Sequence, residues 1–208
     1  MSAAREEMLG RVRRALGNRG GEVDVPREYR CEAHGGSLDR FVERLHDYGA
    51  GVRFTDADGV AAAVAEACAA RGVARIAVPV GFPEAWRPGG VEIIVDEGLA
   101  PGELEAIGAA ATGAALGIAE TGTIVLDAGE GQGRRILSLV PDVHVCVVRA
   151  GQVVDGVPAA MRALAEGFRT TRRPVTFISG PSATADIEFQ RVEGVHGPRQ
   201  FEVVLVSD

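Results

Sequence analysis

Residues able to do chemistry gather in three places along this chain. Near the C-terminus, Gly180-Pro181-Ser182-Ala183-Thr184-Ala185-Asp186-Ile187-Glu188 is followed by Gly194-Val195-His196-Gly197-Pro198-Arg199. Midway, Glu120-Thr121-Gly122-Thr123 stands between two apolar runs, and His144 lies near the start of the run Val143 to Val148. The C-terminal group offers backbone N–H groups, the hydroxyls of Ser182 and Thr184, and the basic residues His196 and Arg199. Its natural guest is a small carboxylate or phosphate, and a helical turn starting near Ser182 would add the positive end of its dipole. Asp186 is suited to capping that turn, to pairing with Arg191 or Arg199, or to acid/base work. Asp186, Glu188 and His196 are also cation-ligand types, but three such residues without a ligand spacing define no metal site, and none is assigned. Ser182 lacks the G-x-S-x-G elbow of a hydrolase nucleophile.

Glu120 is expensive in apolar surroundings unless it is paired or sits at a sheet edge. The plainer reading is a hairpin turn with an exposed carboxylate. Gly122 lets the backbone turn sharply or approach a ligand. His144 is placed to send its ring toward a sheet edge, against the simpler role of a satisfied structural histidine. Glu120, His144 and Asp186 are thus the catalytic candidates. Thr121, Gly122, Thr123, Gly180, Pro181, Ser182, Thr184, Glu188, His196 and Arg199 are the ligand-binding candidates.

Composition narrows the chemistry. All 22 Lys-plus-Arg positions are arginine. Without a lysine there is no imine chemistry with a carbonyl substrate and no phosphate-binding lysine of a P-loop. The cysteines, Cys31, Cys68 and Cys146, are three, far apart and in no C-x-x-C pair, which excludes an iron–sulfur cluster held by four cysteines of this chain and any Cys-rich zinc site. Cys31 and His34 fall in one loop without further ligands nearby. A net charge of −7 argues against nucleic acid or an anionic membrane as partner. No signal peptide and no long apolar run stands out, so the expectation is a cytoplasmic protein without a membrane span.

The elements that must position these residues follow from periodicity. Residues 3–17 form an amphipathic helix with an Arg-rich outer face, read as a solvated face before a docking one. A linker follows over 18–35, and residues 36–208 make a single α/β domain. Ser37 caps a helix to Tyr48, whose buried stripe is Phe41, Val42, Leu45 and Tyr48. From Gly51 onward, strand, helix and strand alternate: strands at 52–54, 74–80 and 91–95, helices from Asp56 to about Ala70 and from Gly102 to Ala110. Continuous apolar strands alternating with helices mean βαβ units and a mostly parallel sheet buried on both faces. The Gly-rich segment 128–133 lacks dinucleotide spacing and reads as a mobile lid or a plain surface loop. A helix over 157–168 completes a last βαβ unit, whose strands 174–178 and 201–206 deliver the C-terminal polar loop to a sheet edge.

The chain resembles the lactate-utilisation protein C family, the LUD domain. The resemblance runs through the initial Met-Leu-Gly-Arg-Val-Arg-Arg-Ala-Leu-Gly helix, Ala119 to Thr123, Leu137-Ser138-Leu139-Val140-Pro141 with Val143-His144, residues 180–188, and residues 194–199. It implies a three-layer α/β/α fold of the NagB/RpiA/CoA-transferase type, preceded by N-terminal helices. It also implies a part in bacterial oxidation of L-lactate to pyruvate, beside an iron–sulfur subunit and a further lactate-utilisation protein. This chain would then be a non-redox subunit holding no cofactor of its own, with the clusters in a partner. Two alternatives stay open. One is a stand-alone CoA-transferase- or sugar-phosphate-type enzyme using Glu120, since CoA transferases of that fold use a glutamate followed shortly by glycine. The other is a carboxylate-sensing module that binds without chemistry.

Overall fold

The computed structural model describes residues 3–17, 37–184, 192–194 and 197–207. The chain divides into two units, residues 1–30 and 31–208. In the first, α1 (Ala3–Leu16) ends at Gly17, which takes the left-handed conformation at φ 53° and donates its N–H to Arg13 O at 3.1 Å. That is the glycine cap its sequence predicts. No residue of α1 is buried, and Met8, Val12 and Leu16 stay exposed along one stripe. The predicted linker lies outside the described residues.

The second unit carries twelve strands and four α-helices among its described residues. The strands are β1 (Gly51–Thr55), β2 (Arg75–Pro79), β3 (Glu92–Asp96), β4 (Ala109–Gly113), β5 (Leu116–Ile118), β6 (Thr123–Leu126), β7 (Val143–Arg149), β8 (Val153–Val154), β9 (Thr176–Ile178), β10 (Ala183–Thr184), β11 (Val192–Glu193) and β12 (Gln200–Val206). The helices are α2 (Leu38–Asp47), α3 (Val60–Ala70), α4 (Pro101–Ile107) and α5 (Val157–Thr170). Ser37 caps α2 as expected, its hydroxyl accepting the Arg40 N–H at 3.2 Å. Asp56 accepts the Gly59 N–H at 2.8 Å before α3. Phe41 and Leu45 are fully buried, but Tyr48, expected in the same stripe, caps the helix C-terminus and is exposed.

The central sheet has six strands in the order β1-β12-β7-β4-β2-β3, and every neighbouring pair is parallel. The α/β class and its parallel sheet are therefore as read from the residues. One face packs on α3 through Ile76, Val78, Val145, Val147, Val204 and Val206. The opposite face packs on α2 and on β6 through Cys146, Val148, Phe201, Val203 and Leu205, and on α4 through Ala77 and Ala110. A second, four-stranded sheet, β8-β5-β6-β9, lies on that face, and α5 covers its far side through Ala160 and Leu164. Its β5–β6 hairpin is antiparallel.

Two elements differ from expectation. The helix predicted to run from Gly102 to Ala110 stops at Ile107, where Gly108 turns left-handed at φ 81°. Ala109–Gly113 is instead a wholly buried central strand. Strand 176–178 pairs antiparallel with β6 in the small sheet, so it does not form a βαβ unit with β12. The polar loop before β12 therefore joins two different sheets.

A charge buried in the central sheet escaped the sequence reading. Glu202, 1% exposed, is clasped by Arg53 and by Arg71, whose Nε donates to Oε1 at 2.7 Å. Gly51, opposite Glu202 in register, leaves room for that carboxylate; a Cβ there would collide with it. The described residues contain no helix long and apolar enough to cross a membrane.

Candidate functional site

The two ends of the parallel sheet carry different polar groups. At the amino end, Glu120-Thr121-Gly122-Thr123 forms the tip of the β5–β6 hairpin. Thr121 Oγ1 lies 2.7 Å from Thr123 Oγ1, which in turn lies 2.8 Å from Ser179 Oγ. Together with the Ile124–Ile178 register, this joins the Glu-Thr-Gly-Thr motif to the start of the C-terminal motif. Both meet α2. Gly122, at φ 58°, would place a Cβ 2.6 Å from Arg44 Cβ, and Gly180, at φ 103°, would place one 2.6 Å from Tyr48 Cβ. These two glycines are needed for close packing on a helix.

The Glu120 backbone N–H donates to Asp155 O at 2.9 Å, and its exposed carboxylate reaches Gly156, where a Cβ would stand 2.9 Å from Oε2. Gly156 is the N-cap of α5, so the carboxylate sits where a helix dipole favours negative charge. That position explains Glu120 without a ligand.

Further along, Ser182 donates its N–H to Pro198 O at 2.7 Å and accepts the Gly194 N–H at 3.0 Å. Ala183–Thr184 then pairs antiparallel with Val192–Glu193, so the chain after Ser182 is extended and the helical turn considered from sequence does not start there. Pro181 is half-buried beside this small ladder. Arg199 makes a two-pronged pair with Asp142, at 2.5 and 3.0 Å. Asp186, Glu188 and His196 lie outside the described residues. Among the described residues, no three His, Cys, Asp or Glu side chains stand where they could share a metal ion.

His144 joins neither surface. Its ring is fully buried on the sheet, with Nε2 2.8 Å from Thr112 Oγ1 and its face 5.3 Å from the Phe201 ring. Nδ1 has no hydrogen-bond partner among the described residues. Burial pushes its pKa down to about 4, so the ring is neutral at physiological pH. Next to it, burial raises the Cys146 thiol to about 12, despite the hydrogen bond from Thr112. Among the described residues, the Glu120 carboxylate, the buried His144 ring and the Ser182 backbone therefore occupy separate places.

The carboxyl end holds the cleft that sequence reasoning missed. From β2 the chain passes to β3 at the sheet edge and then to β4 on the other side of β2. The crevice above β2 and β4 is therefore a topological switch point, the place where open α/β sheets receive ligands. A cleft of about 360 Å³ opens there, lined by Gly81, Pro83, Trp86, Gly113, Ala114, Glu130, Gly131, Arg149 and Gln152. Arg149, the last residue of β7, holds its guanidinium 5.2 Å from the centroid of the Trp86 ring. Gln152 is fixed as a wall: its Oε1 accepts the Arg149 N–H at 2.9 Å and its Nε2 donates to Ala114 O at 2.8 Å. At the sheet edge nearby, burial alone would raise the Asp96 carboxyl, but hydrogen bonds from Arg134, Leu99 and Gly98 outweigh it and hold the group below its ordinary value. The sequence signal for this site was weak, a lone Trp between prolines and an Arg at a strand end.

Comparison with known proteins fits this architecture. The model of the LUD domain matches residues 102–206, from α4 through β12. A Deinococcus radiodurans protein named Lactate utilization protein C is 42% identical over 206 residues, covering 98% of this chain and 96% of that protein. The Bacillus subtilis protein of the same name is 35% identical over 94 residues, 44% of this chain and 39% of that one. A crystal structure of a DUF162 family protein from Deinococcus radiodurans superposes with a TM-score of 0.70 at 38% identity, over 81% of this chain and 95% of the other. The near-complete match to the first of these, together with the LUD match over the second half, makes this chain a member of the LUD-domain, lactate utilization protein C family.

Proposed function

We propose that this protein is a non-redox subunit of a bacterial system oxidising L-lactate to pyruvate in the cytoplasm, acting beside an iron–sulfur subunit and a further lactate-utilisation protein. The observation carrying this reading is the similarity over 96% of a relative named Lactate utilization protein C. The chain's own residues support the division of labour. Taking two electrons from lactate requires an acceptor, and three scattered cysteines cannot supply the four thiolates of a cluster. The absence of lysine leaves no imine route for the pyruvate carbonyl.

Deleting the gene and restoring it on a plasmid tests the reading. Growth on L-lactate is expected to stop on deletion, to return with the gene, and to remain normal on glucose throughout. The tagged chain is expected to retain a protein with iron–sulfur absorbance. Undiminished lactate consumption in the deletion strain, with no such protein retained, refutes the proposal.

A further inference from the structure

The carboxyl-end cleft combines features that the amino-end motifs lack. Its floor is backbone. Gly81 and Gly131 both take positive φ, and the Gly113 N–H donates to Gly131 O at 2.8 Å. A Cβ at Gly113 would stand 3.6 Å from both Gly131 O and Trp86 Cζ3, and one at Gly131 would stand 3.4 Å from Gly81 O. With glycine at 81, 113 and 131, the space above β4 is bounded by backbone, and the indole forms one wall.

The charges in the cleft are two and separate. Arg53, Arg71, Arg134 and Arg199 each pair with a carboxylate. Arg149 pairs with no carboxylate of the described residues; its guanidinium is held by the Trp86 face. A planar guanidinium stacked on an aromatic ring keeps its N–H fork free for a carboxylate. Across the cleft, the exposed Glu130 rests over Gly81, its Cγ 3.1 Å from where a Cβ would be. A carboxylate only accepts hydrogen bonds, so it favours a hydroxyl and repels a second negative charge.

We infer that this cleft binds a small 2-hydroxycarboxylate, with the ligand carboxylate on Arg149 and its hydroxyl donating to Glu130. The assignment of the ligand to lactate metabolism rests on the function proposed above; the cleft itself does not. Its single cation beside a carboxylate suits a monoanion and disfavours polyanions such as coenzyme A or sugar phosphates. The site stands apart from the amino-end motifs: β12 and β7 each run seven residues between the two ends of the sheet, about 20 Å.

Trp86 is the sole tryptophan of the chain, so its fluorescence reports on this cleft alone. The full-length protein is titrated with L-lactate, glycolate, pyruvate, acetate, inorganic phosphate and coenzyme A, with calorimetry in parallel. The 2-hydroxy acids are expected to bind most tightly and to shift the emission, with pyruvate and acetate weaker and coenzyme A silent. Arg149→Gln is expected to weaken binding roughly ten- to a hundred-fold, as for loss of a charge-assisted hydrogen bond. Arg149→Lys, which keeps the charge and loses the fork, should fall between. Glu130→Gln should narrow the preference for L-lactate over pyruvate. Arg75→Gln, on the far end of β2, should titrate like the wild type. An unchanged affinity in Arg149→Gln, or no binding of any 2-hydroxy acid by either method, overturns the inference. If the cleft fails while the gene still restores lactate growth, the proposed function stands alone. If the acids bind but deletion leaves lactate growth intact, the cleft stands and the proposed function falls.

Discussion

Burial decides the state of the His144 imidazole. An unfolded-chain histidine titrates near 6.5, and this one near 4, because its ring is enclosed by the sheet, with Thr112 its polar partner among the described residues. Between those values the unfolded chain binds the extra proton, so stability rises with pH across that window. The contribution is complete above about 6.5 and drains away as pH falls toward 4. From pH 7.5 to pH 5, His144 should therefore account for about 2 kcal/mol of lost stability. Urea unfolding at the two values measures this in the wild type and in His144→Gln, which keeps a polar group for Thr112. The variant should lose most of that pH dependence; an equally steep loss would mean that other groups cause it. The same residue shows how far a residue type can be read. A histidine at the start of a Val-rich strand was legible as strand. Which face its ring takes depended on the registers Ala110–His144 and Phe201–His144, which only the assembled sheet fixes.

Elements rich in β-branched residues were legible, and those made of small residues were not. β7 and β12 are dominated by Val, with Leu and Phe in β12, and their parallel pairing follows from burial on both faces. β4 is Ala-Ala-Ala-Thr-Gly, which local preference assigns to a helix as readily as to a strand. Its side chains are small because α4 and α3 pack closely on its two faces, a tertiary fact invisible in a local window. β9 was legible as a strand, but its sheet was not, because nothing in Thr-Phe-Ile says which partner it takes. The hairpin β5–β6 makes the point testable. Gly122 at its tip combines a left-handed backbone with contact on Arg44. Gly122→Ala should cost about 2–4 kcal/mol, from the strained φ and the forced separation of hairpin and α2. Thermal unfolding would show this as a lowered midpoint. Gly89→Ala, in a loop with open space around its Cα and no positive φ, should leave it unchanged. Equal midpoints for the two would show that the hairpin moves away from α2 at little cost.

At the scale of the molecule, the two ends of the central sheet divide the polar residues. The conspicuous motifs lie at the amino end, where glycines and hydroxyls knit the hairpin, α2 and the start of β12 together. The cleft lies at the carboxyl end, on residues that form no contiguous motif, because strands distant in sequence bring them together. The N-terminal unit raises a separate question. α1 is described with none of its residues buried, and its stripe of Met8, Val12 and Leu16 is exposed. Isolated helices of its fourteen residues are marginal in water. Deleting residues 1–30 should therefore leave the thermal midpoint of the α/β unit within about 2 °C, since a loss below ~0.5 kcal/mol moves a domain of this size little. The Trp86 response to L-lactate should survive as well. Retention of the iron–sulfur protein proposed above is the property the truncation is expected to reduce, because Met8, Val12 and Leu16 present an exposed apolar stripe. A truncated protein that melts much earlier would instead place α1 among the elements that hold the α/β unit together.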